Sequence, residues 1–243
     1  FFLTWGIFLP YWTGFLIAVK GMEVAEASLI MSLGLLARGC STLFLFPYIS
    51  KKWSGKNVLM LLAFLSVATG VLYIPAESYA ALLVVTVLFS LFYPALMPAL
   101  DSMAGVLVQR GQLDYGKSRS YGSFGFIVMV LVISMVTGKF GDGALLTFLL
   151  IGIFALAILS TLKAPEALME KPEPAAGKAF TMRNLFSIKH FTTVIIIAIL
   201  LQGAHAAYYN YGYIYLQHLG VSKYYIGLII NLSLIHISEP TRR

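Results

Sequence analysis

Asp101 and Arg119 stand nine positions either side of Arg110, at the facing ends of two apolar stretches. The first reads Leu91-Phe-Tyr-Pro-Ala-Leu-Met-Pro-Ala-Leu-Asp101. The second opens with Leu113-Asp-Tyr-Gly-Lys-Ser-Arg119-Ser-Tyr-Gly-Ser-Phe-Gly-Phe126. With Arg110 in a polar turn between antiparallel helices, carboxylate and guanidinium come to similar depth. Charges at membrane depth are costly and mark substrate or ion pathways. A guanidinium binds a carboxylate through two parallel N–H donors, which a lysine cannot reproduce. Arg119 therefore reads either as an anion site or as an anchor at the helix start. Asp101 is a candidate proton carrier, because burial and the neighbouring arginine pull its protonation in opposite directions.

Three further polar positions lie inside apolar runs. Arg38 falls midway along the second run, where an unpaired guanidinium costs about 3 kcal/mol or more. It must face a cavity or a polar partner, as a second anion site or as a structural mate for a carboxylate such as Asp101. Gln202 and His205 occur in Leu201-Gln-Gly-Ala-His-Ala-Ala-Tyr-Tyr209. His205 either passes a proton near neutral pH or acts as a neutral hydrogen-bonding group that orients substrate with Gln202. Trp12, Phe126 and Tyr208 are candidates to enclose an aromatic ring. Tyr211, Tyr213 and Tyr215, close to a helix end, read instead as an interfacial belt. Cys40, the single cysteine, reads as a packing residue. No phosphate-binding loop, zinc spacing or paired nucleophile and base occurs, so neither an enzyme nor a cofactor or metal site is expected.

Composition says what must position these groups. Hydrophobic residues make up 59% and charged residues 11% of the chain, with a mean hydropathy of +0.86, which excludes an ordinary soluble domain. Apolar runs of about 20 residues, enough to cross ~30 Å of hydrocarbon, occupy 1–19, 27–46, 58–75, 79–106, 121–137, 144–162 and 192–216. An eighth begins near Tyr224. Their lack of strict alternation favours helices over barrel strands, so the fold class is an all-α membrane protein.

Lys51, Lys52 and Lys56, then Arg110, Lys117 and Arg119, then Lys163, Lys171, Lys178, Arg183 and Lys189 crowd the even-numbered connections. The odd ones hold only Lys20, Lys139 and Lys223. The positive-inside rule places the even connections and the amino terminus in the cytoplasm. The net charge of +7 then reflects this asymmetry and contact with anionic lipid, and no nucleic-acid partner is expected.

Six runs joined by short loops precede the polar segment 163–190, whose Pro165, Pro172, Pro174 and Gly177 suit a flexible linker. The expected division is a six-helix bundle at 1–162, a cytoplasmic linker at 163–190 and the start of a second bundle at 191–231. Leu232-Ser-Leu-Ile-His-Ile-Ser-Glu-Pro-Thr-Arg242 resembles the translation of a transposase adapter used in sequencing libraries, so 232–243 is expected to be a non-native tail. The first, fourth and seventh runs carry Pro10, Pro94 and Pro98 and the polar and aromatic candidates. That pattern predicts discontinuous helices around a water-filled path.

The segments 98–126 and 200–209 closely resemble the phenylpropionate permease family of the major facilitator superfamily, notably in Leu113-Asp-Tyr-Gly-Lys117 and the Gln202 to Tyr209 motif. The hairpin is also similar to the lactose permease family. There a Pro-x-x-acid is followed eighteen residues later by the arginine of a Gly-basic-x-Arg-x-x-Gly run, and an aromatic lies seven residues further on. Those positions are Asp101, Arg119 and Phe126 here. The resemblance implies an N-terminal six-helix bundle plus one or two helices of a second, inverted repeats within each bundle, and a monomer when the C-terminal half is present. It also implies a bacterial inner-membrane setting and substrate binding by the acid and arginine. One departure concerns the second connection, Pro47-Tyr-Ile-Ser-Lys51-Lys52-Trp53-Ser-Gly55-Lys56, which keeps the superfamily's basic character but lacks its usual aspartate.

The expected function is secondary active transport by alternating access, with proton symport of a small aromatic carboxylate such as phenylpropionate. Arg119, with Arg38 as a second cation, would hold the carboxylate. Asp101, Gln202 and His205 would tune polarity and protonation, and Trp12, Phe126 and Tyr208 would enclose the ring. The alternative in the same class is an oligosaccharide–proton symporter; from another class, it is a membrane receptor or scaffold that moves no solute.

Overall fold

The computed structural model describes residues 1–171, 184 and 186–238, and every regular element among them is helical. The elements are α1 (Phe2–Ala18), α2 (Val24–Cys40), α3 (Phe46–Ser50), α4 (Gly55–Val71), α5 (Tyr79–Phe92), α6 (Leu96–Gln109), α7 (Tyr115–Phe140), α8 (Ala144–Thr161), α9 (Phe191–His218) and α10 (Lys223–Ser238). Two pairs run on as one span each, α2 with α3 over Val24–Ser50 and α5 with α6 over Tyr79–Gln109. These, with α7, α8 and α9, are long and apolar enough to cross a membrane; α1 and α4 are shorter apolar helices of 17 residues. Part of the 163–190 segment, 172–183 and 185, lies outside the described residues, as do residues 239–243 of the expected tail.

Polar residues at the run boundaries start the helices. Ser54 Oγ accepts from the Asn57 N–H at 3.4 Å, Ser78 Oγ from the Ala81 N–H at 3.3 Å, and the Asp114 carboxylate from the Lys117 N–H at 3.0 Å. Each satisfies one of the donors that a helix N-terminus leaves unpaired. The Asp114 cap starts α7 six residues before the apolar run at 121, so Arg119 lies inside the helix rather than ahead of it.

The breaks expected in every third span occur in the fourth alone among spans one, four and seven. Residues 93–95 interrupt it, because Pro94 has no N–H to donate. Pro98 does no further damage, since it sits in the first turn of α6, where its missing donor is not needed. The seventh span contains no proline and is continuous as α9, and α1 runs unbroken through Pro10. An irregularity not expected lies in the second span, a π-helical stretch at Ser41–Leu45. Pro47 cannot donate to the carbonyl one turn back, and a local widening of the helix absorbs the mismatch. The two irregularities meet: the Ser41 hydroxyl donates to the Leu91 carbonyl beside the break in the fourth span.

Helix α1 is central, touching α2, α7, α8 and α9, while α2 packs on α5, α4 on α8 and α10 on α7. Between α1 and α5 runs a chain of rings, with Trp12 stacked on Phe15 at 4.6 Å, Phe89 on Tyr93 at 4.7 Å, and Phe8 between Trp12 and Phe89. The tyrosine hydroxyls buried with them are partnered, Tyr93 donating to Thr4 Oγ1 at 2.9 Å and Tyr73 to Thr86 Oγ1 at 2.8 Å. Such pairing is what makes polar tips tolerable away from water. Cys40, read as packing, is exposed instead.

Candidate substrate cavity

The turn after α6 brings Asp101 and Arg119 together as expected, with Arg119 Nη1 3.8 Å from Asp101 Oδ1. Both side chains are about two-fifths exposed, at 43% and 40%, so the pair lies outside the packed core. The ring beside Arg119 is Phe2, whose centroid lies 4.5 Å from the guanidinium carbon. Gly122 permits this, since a Cβ there would meet the Phe2 ring at 2.6 Å. Phe126, expected to supply the ring, is one turn further along α7. It is half-buried against the core, and its backbone carbonyl lies against Gly6 of α1.

Deeper in the bundle, Arg38 projects from α2 over the face of Trp5, its guanidinium carbon 5.0 Å from the ring centroid. It borders a cavity of about 320 Å³ walled by α1, α2, the α5–α6 break and α9, with Trp5, Ser90, Pro94, Asn210 and Tyr211 among the lining residues. A volume near ~300 Å³ is at the lower end for small-molecule pockets.

The α9 candidates divide by helical face. Ala206, Ala207, Asn210 and Tyr211 turn to the cavity. Gln202 is exposed, and half-buried His205 donates from Nδ1 to the Leu201 carbonyl at 2.8 Å while stacking on Tyr209. Neither lines the cavity, whereas the sequence reading had placed both there. Tyr208 is half-buried with its hydroxyl enclosed and unpaired. Trp12 is fully buried among Phe8, Phe15 and Tyr73 in the ring chain. Bulk and flatness suit an indole to a core as well as to a ligand, and spacing alone does not separate the two uses.

At the opposite end of the bundle from the α6–α7 turn, an unexpected network joins α9 and α10 to the first six spans. Lys223 Nζ donates to Asp142 Oδ2 at 2.6 Å, Tyr213 Oη to Asp142 Oδ1 at 2.6 Å, and Gln217 Nε2 to Tyr213 Oη at 2.9 Å. The Ser134 hydroxyl donates to the Lys223 carbonyl and accepts from the Gly227 N–H at 2.9 Å. Tyr213 packs edge-on against Tyr11 at 4.7 Å and is fully buried. It is thus no part of an interfacial belt, and Tyr211 lines the cavity; of the three tyrosines only Tyr215, at 62% exposure, fits that reading. The available signal was an acid and a base, Asp142 and Lys223, in two connections expected on the same side.

By the α6–α7 turn, Arg110 donates to Glu170 Oε1 at 3.3 Å and Oε2 at 2.5 Å. The guanidinium holds the Glu170 carboxyl below its usual range, and the carboxylate raises Arg110 in turn. With Ala167 and Leu168 buried beside it, the first part of the expected flexible segment is fastened to the bundle.

A chain whose described elements are all helical, five of them long and apolar enough to cross a membrane, has a match in known proteins. The MFS_1 like family model matches residues 1–237. The chain belongs to that family. Members are recognisable among curated proteins: a "Probable 3-phenylpropionic acid transporter" of Escherichia coli (strain K12) is 28% identical over 238 residues, covering 97% of this chain and 62% of that protein. The maltose permease of Geobacillus stearothermophilus is 31% identical over 181 residues, covering 72% of this chain and 44% of that one. The crystal structure of the nucleoside transporter NupG superposes with a TM-score of 0.68 at 20% identity, over 88% of this chain and 55% of NupG. The chain thus spans under two-thirds of each relative's length. Family membership, with five helices long and apolar enough to cross a membrane, makes it a multi-pass membrane chain, and the curated relatives it resembles are a probable transporter and a permease.

Proposed function

We propose that this chain forms eight spans of a secondary transporter that moves a small aromatic carboxylate together with a proton by alternating access. Residues 1–162 form one bundle and 191–231 begin the second. The observation that carries the reading is the Asp101–Arg119 pair, 3.8 Å apart with each side chain about two-fifths exposed. An ion pair held so loosely leaves the arginine fork available to an incoming carboxylate and the aspartate available to a proton. Rings flank both cations, Phe2 at Arg119 and Trp5 at Arg38, which favours a ligand that combines an anion with an aromatic body. Similarity to the "Probable 3-phenylpropionic acid transporter" of Escherichia coli supports the same class.

On the orientation that the basic connections predict, the Asp142–Lys223 network closes the external end and the Asp101–Arg119 pair faces the cytoplasm of a bacterial cell. Lipid covers the apolar exterior, and the protein acts as a monomer once the C-terminal half is in place.

The similarity to a maltose permease favours a second reading, oligosaccharide–proton symport, in which Asp101 accepts sugar hydroxyls and Phe126 packs on a sugar face. Uptake in cells expressing the complete protein separates the two. Labelled phenylpropionate should enter and maltose should not compete. Entry of maltose alone would establish the second reading and remove the first.

A further inference from the structure

The cavity between α1, α2, the α5–α6 break and α9 contains one full charge among its lining residues, the guanidinium of Arg38. Among the described residues no carboxylate pairs with it; the three ion pairs there involve Arg110, Arg119 and Lys223. Its recorded side-chain neighbour is the Trp5 ring, 5.0 Å away. A cation held against an aromatic face uses its own face, so the edge N–H donors remain free, and these are the groups that take a carboxylate in two parallel hydrogen bonds. An uncompensated charge at mid-span is costly, and an anionic ligand would neutralise it.

The backbone places Arg38 there for a structural reason. Gly34, one turn earlier on α2, lies so close to α5 that a Cβ would meet Ser90 Oγ at 2.9 Å and Thr86 Cγ2 at 3.1 Å. The close approach of the two helices brings the next turn of α2 over Trp5 and beside the proline break. Asn210 and Tyr211 close the cavity from α9. Arg119 differs in having Asp101 as partner and in lying outside this cavity's lining.

We propose that Arg38 is the anion-binding residue of an inner subsite, distinct from the Asp101–Arg119 pair, which takes the carboxylate of a one-ring aromatic acid with its ring against Trp5 and Tyr211. The proposal rests on the transport reading above and adds to it the location and chemistry of the bound state. Because the walls come from α1, α2 and α5 on one side and α9 on the other, a ligand there touches both bundles. A ligand that touches both can bias their relative arrangement through differential contacts.

The test is equilibrium binding of labelled 3-phenylpropionate and of its uncharged amide to the purified complete protein, in wild type, Arg38→Gln and Arg38→Lys. Loss of one charge-assisted contact predicts acid binding weaker by about tenfold or more in both variants, with amide binding unchanged. Retained amide binding also shows that the variants fold. Should Arg38→Gln lose the amide as well, Arg38→Lys decides: weakened acid with intact amide supports the site, and unchanged acid overturns it. Acid binding that persists in Arg38→Gln overturns the Arg38 site while leaving the aromatic-acid reading intact. A wild type that binds maltose and neither aromatic compound overturns both.

Discussion

Asp142, in the turn between α7 and α8, and Lys223, the first residue of α10, form a 2.6 Å ion pair that fastens the eighth span to the first six. Asp142 is nearly enclosed, at 6% side-chain exposure against 32% for Lys223, and Tyr213 donates to its other oxygen. The proposed alternating access requires this end to open in part of the cycle, which demands a network strong enough to close and weak enough to release. Removing one partner leaves the other charge poorly solvated. Asp142→Asn should cost about 1–3 kcal/mol of closed-state stability, less than the ~3–5 kcal/mol of a fully buried pair, because Lys223 reaches water. A cysteine at buried Thr137, in an otherwise cysteine-free protein, should then react faster with a membrane-impermeant maleimide. Exchanging the charges, Asp142→Lys with Lys223→Asp, should restore part of the protection.

The Asp101–Arg119 pair calls for the opposite expectation about stability. At two-fifths exposure and 3.8 Å, it contributes at most about 1 kcal/mol to folding. Arg119→Lys should therefore leave thermal unfolding of the complete protein nearly unchanged. Uptake should nevertheless fall about tenfold or more, since the planar two-donor fork is lost while the charge remains. Unchanged uptake would remove Arg119 as a bidentate anion site.

Much of this was legible in the chain, for reasons that can be stated residue by residue. The Asp101–Arg119 pair was visible because a short hairpin fixes the relative depth of residues equidistant from its turn. Helix count followed from run length, which the membrane sets. Gln202, His205 and Trp12 lie away from the α1–α2–α9 cavity, and a helix in a crowded bundle has no purely polar face to reveal which side meets it. Trp5, Asn210 and Tyr211 were missed for the same reason, as the α9 face at Ala206, Ala207, Asn210 and Tyr211 carries two alanines and looks bland. The Asp142–Lys223 contact joins residues 81 positions apart, and no local pattern announces such a pairing.

The contact between Gly34 and α5 gives a packing expectation. A leucine at this position would overlap Ser90 and Thr86, whose atoms already lie 2.9 Å and 3.1 Å from an ideal Cβ. Overpacking of this kind costs about 1–3 kcal/mol. Gly34→Leu should lower the thermal midpoint of the complete protein, while Gly39→Leu, where nothing stands within 4 Å of the Cβ, should not.

Acid should loosen the segment after α8. Glu170 is held below its ordinary value of 4.5 by Arg110. A depressed carboxylate stabilises above its unfolded pKa, and that contribution is lost as pH falls through the folded value. The protection factors of the Leu168, Met169 and Glu170 amides, taken against the intrinsic exchange rate at each pH, should therefore be highest at neutral pH and fall once the pH drops below about 4.5. Glu170→Gln should show low protection throughout and no such step.

The central claim is that the path past Arg119 carries an aromatic carboxylate with a proton. It is tested most directly by reconstituting the complete protein in liposomes and imposing a pH gradient, acidic outside. Labelled 3-phenylpropionate should enter vesicles containing the protein at a saturable initial rate well above that of protein-free vesicles, and the accumulation should be lost on adding a protonophore. An initial rate identical to that of protein-free vesicles, with maltose concentrated instead, would contradict the claim.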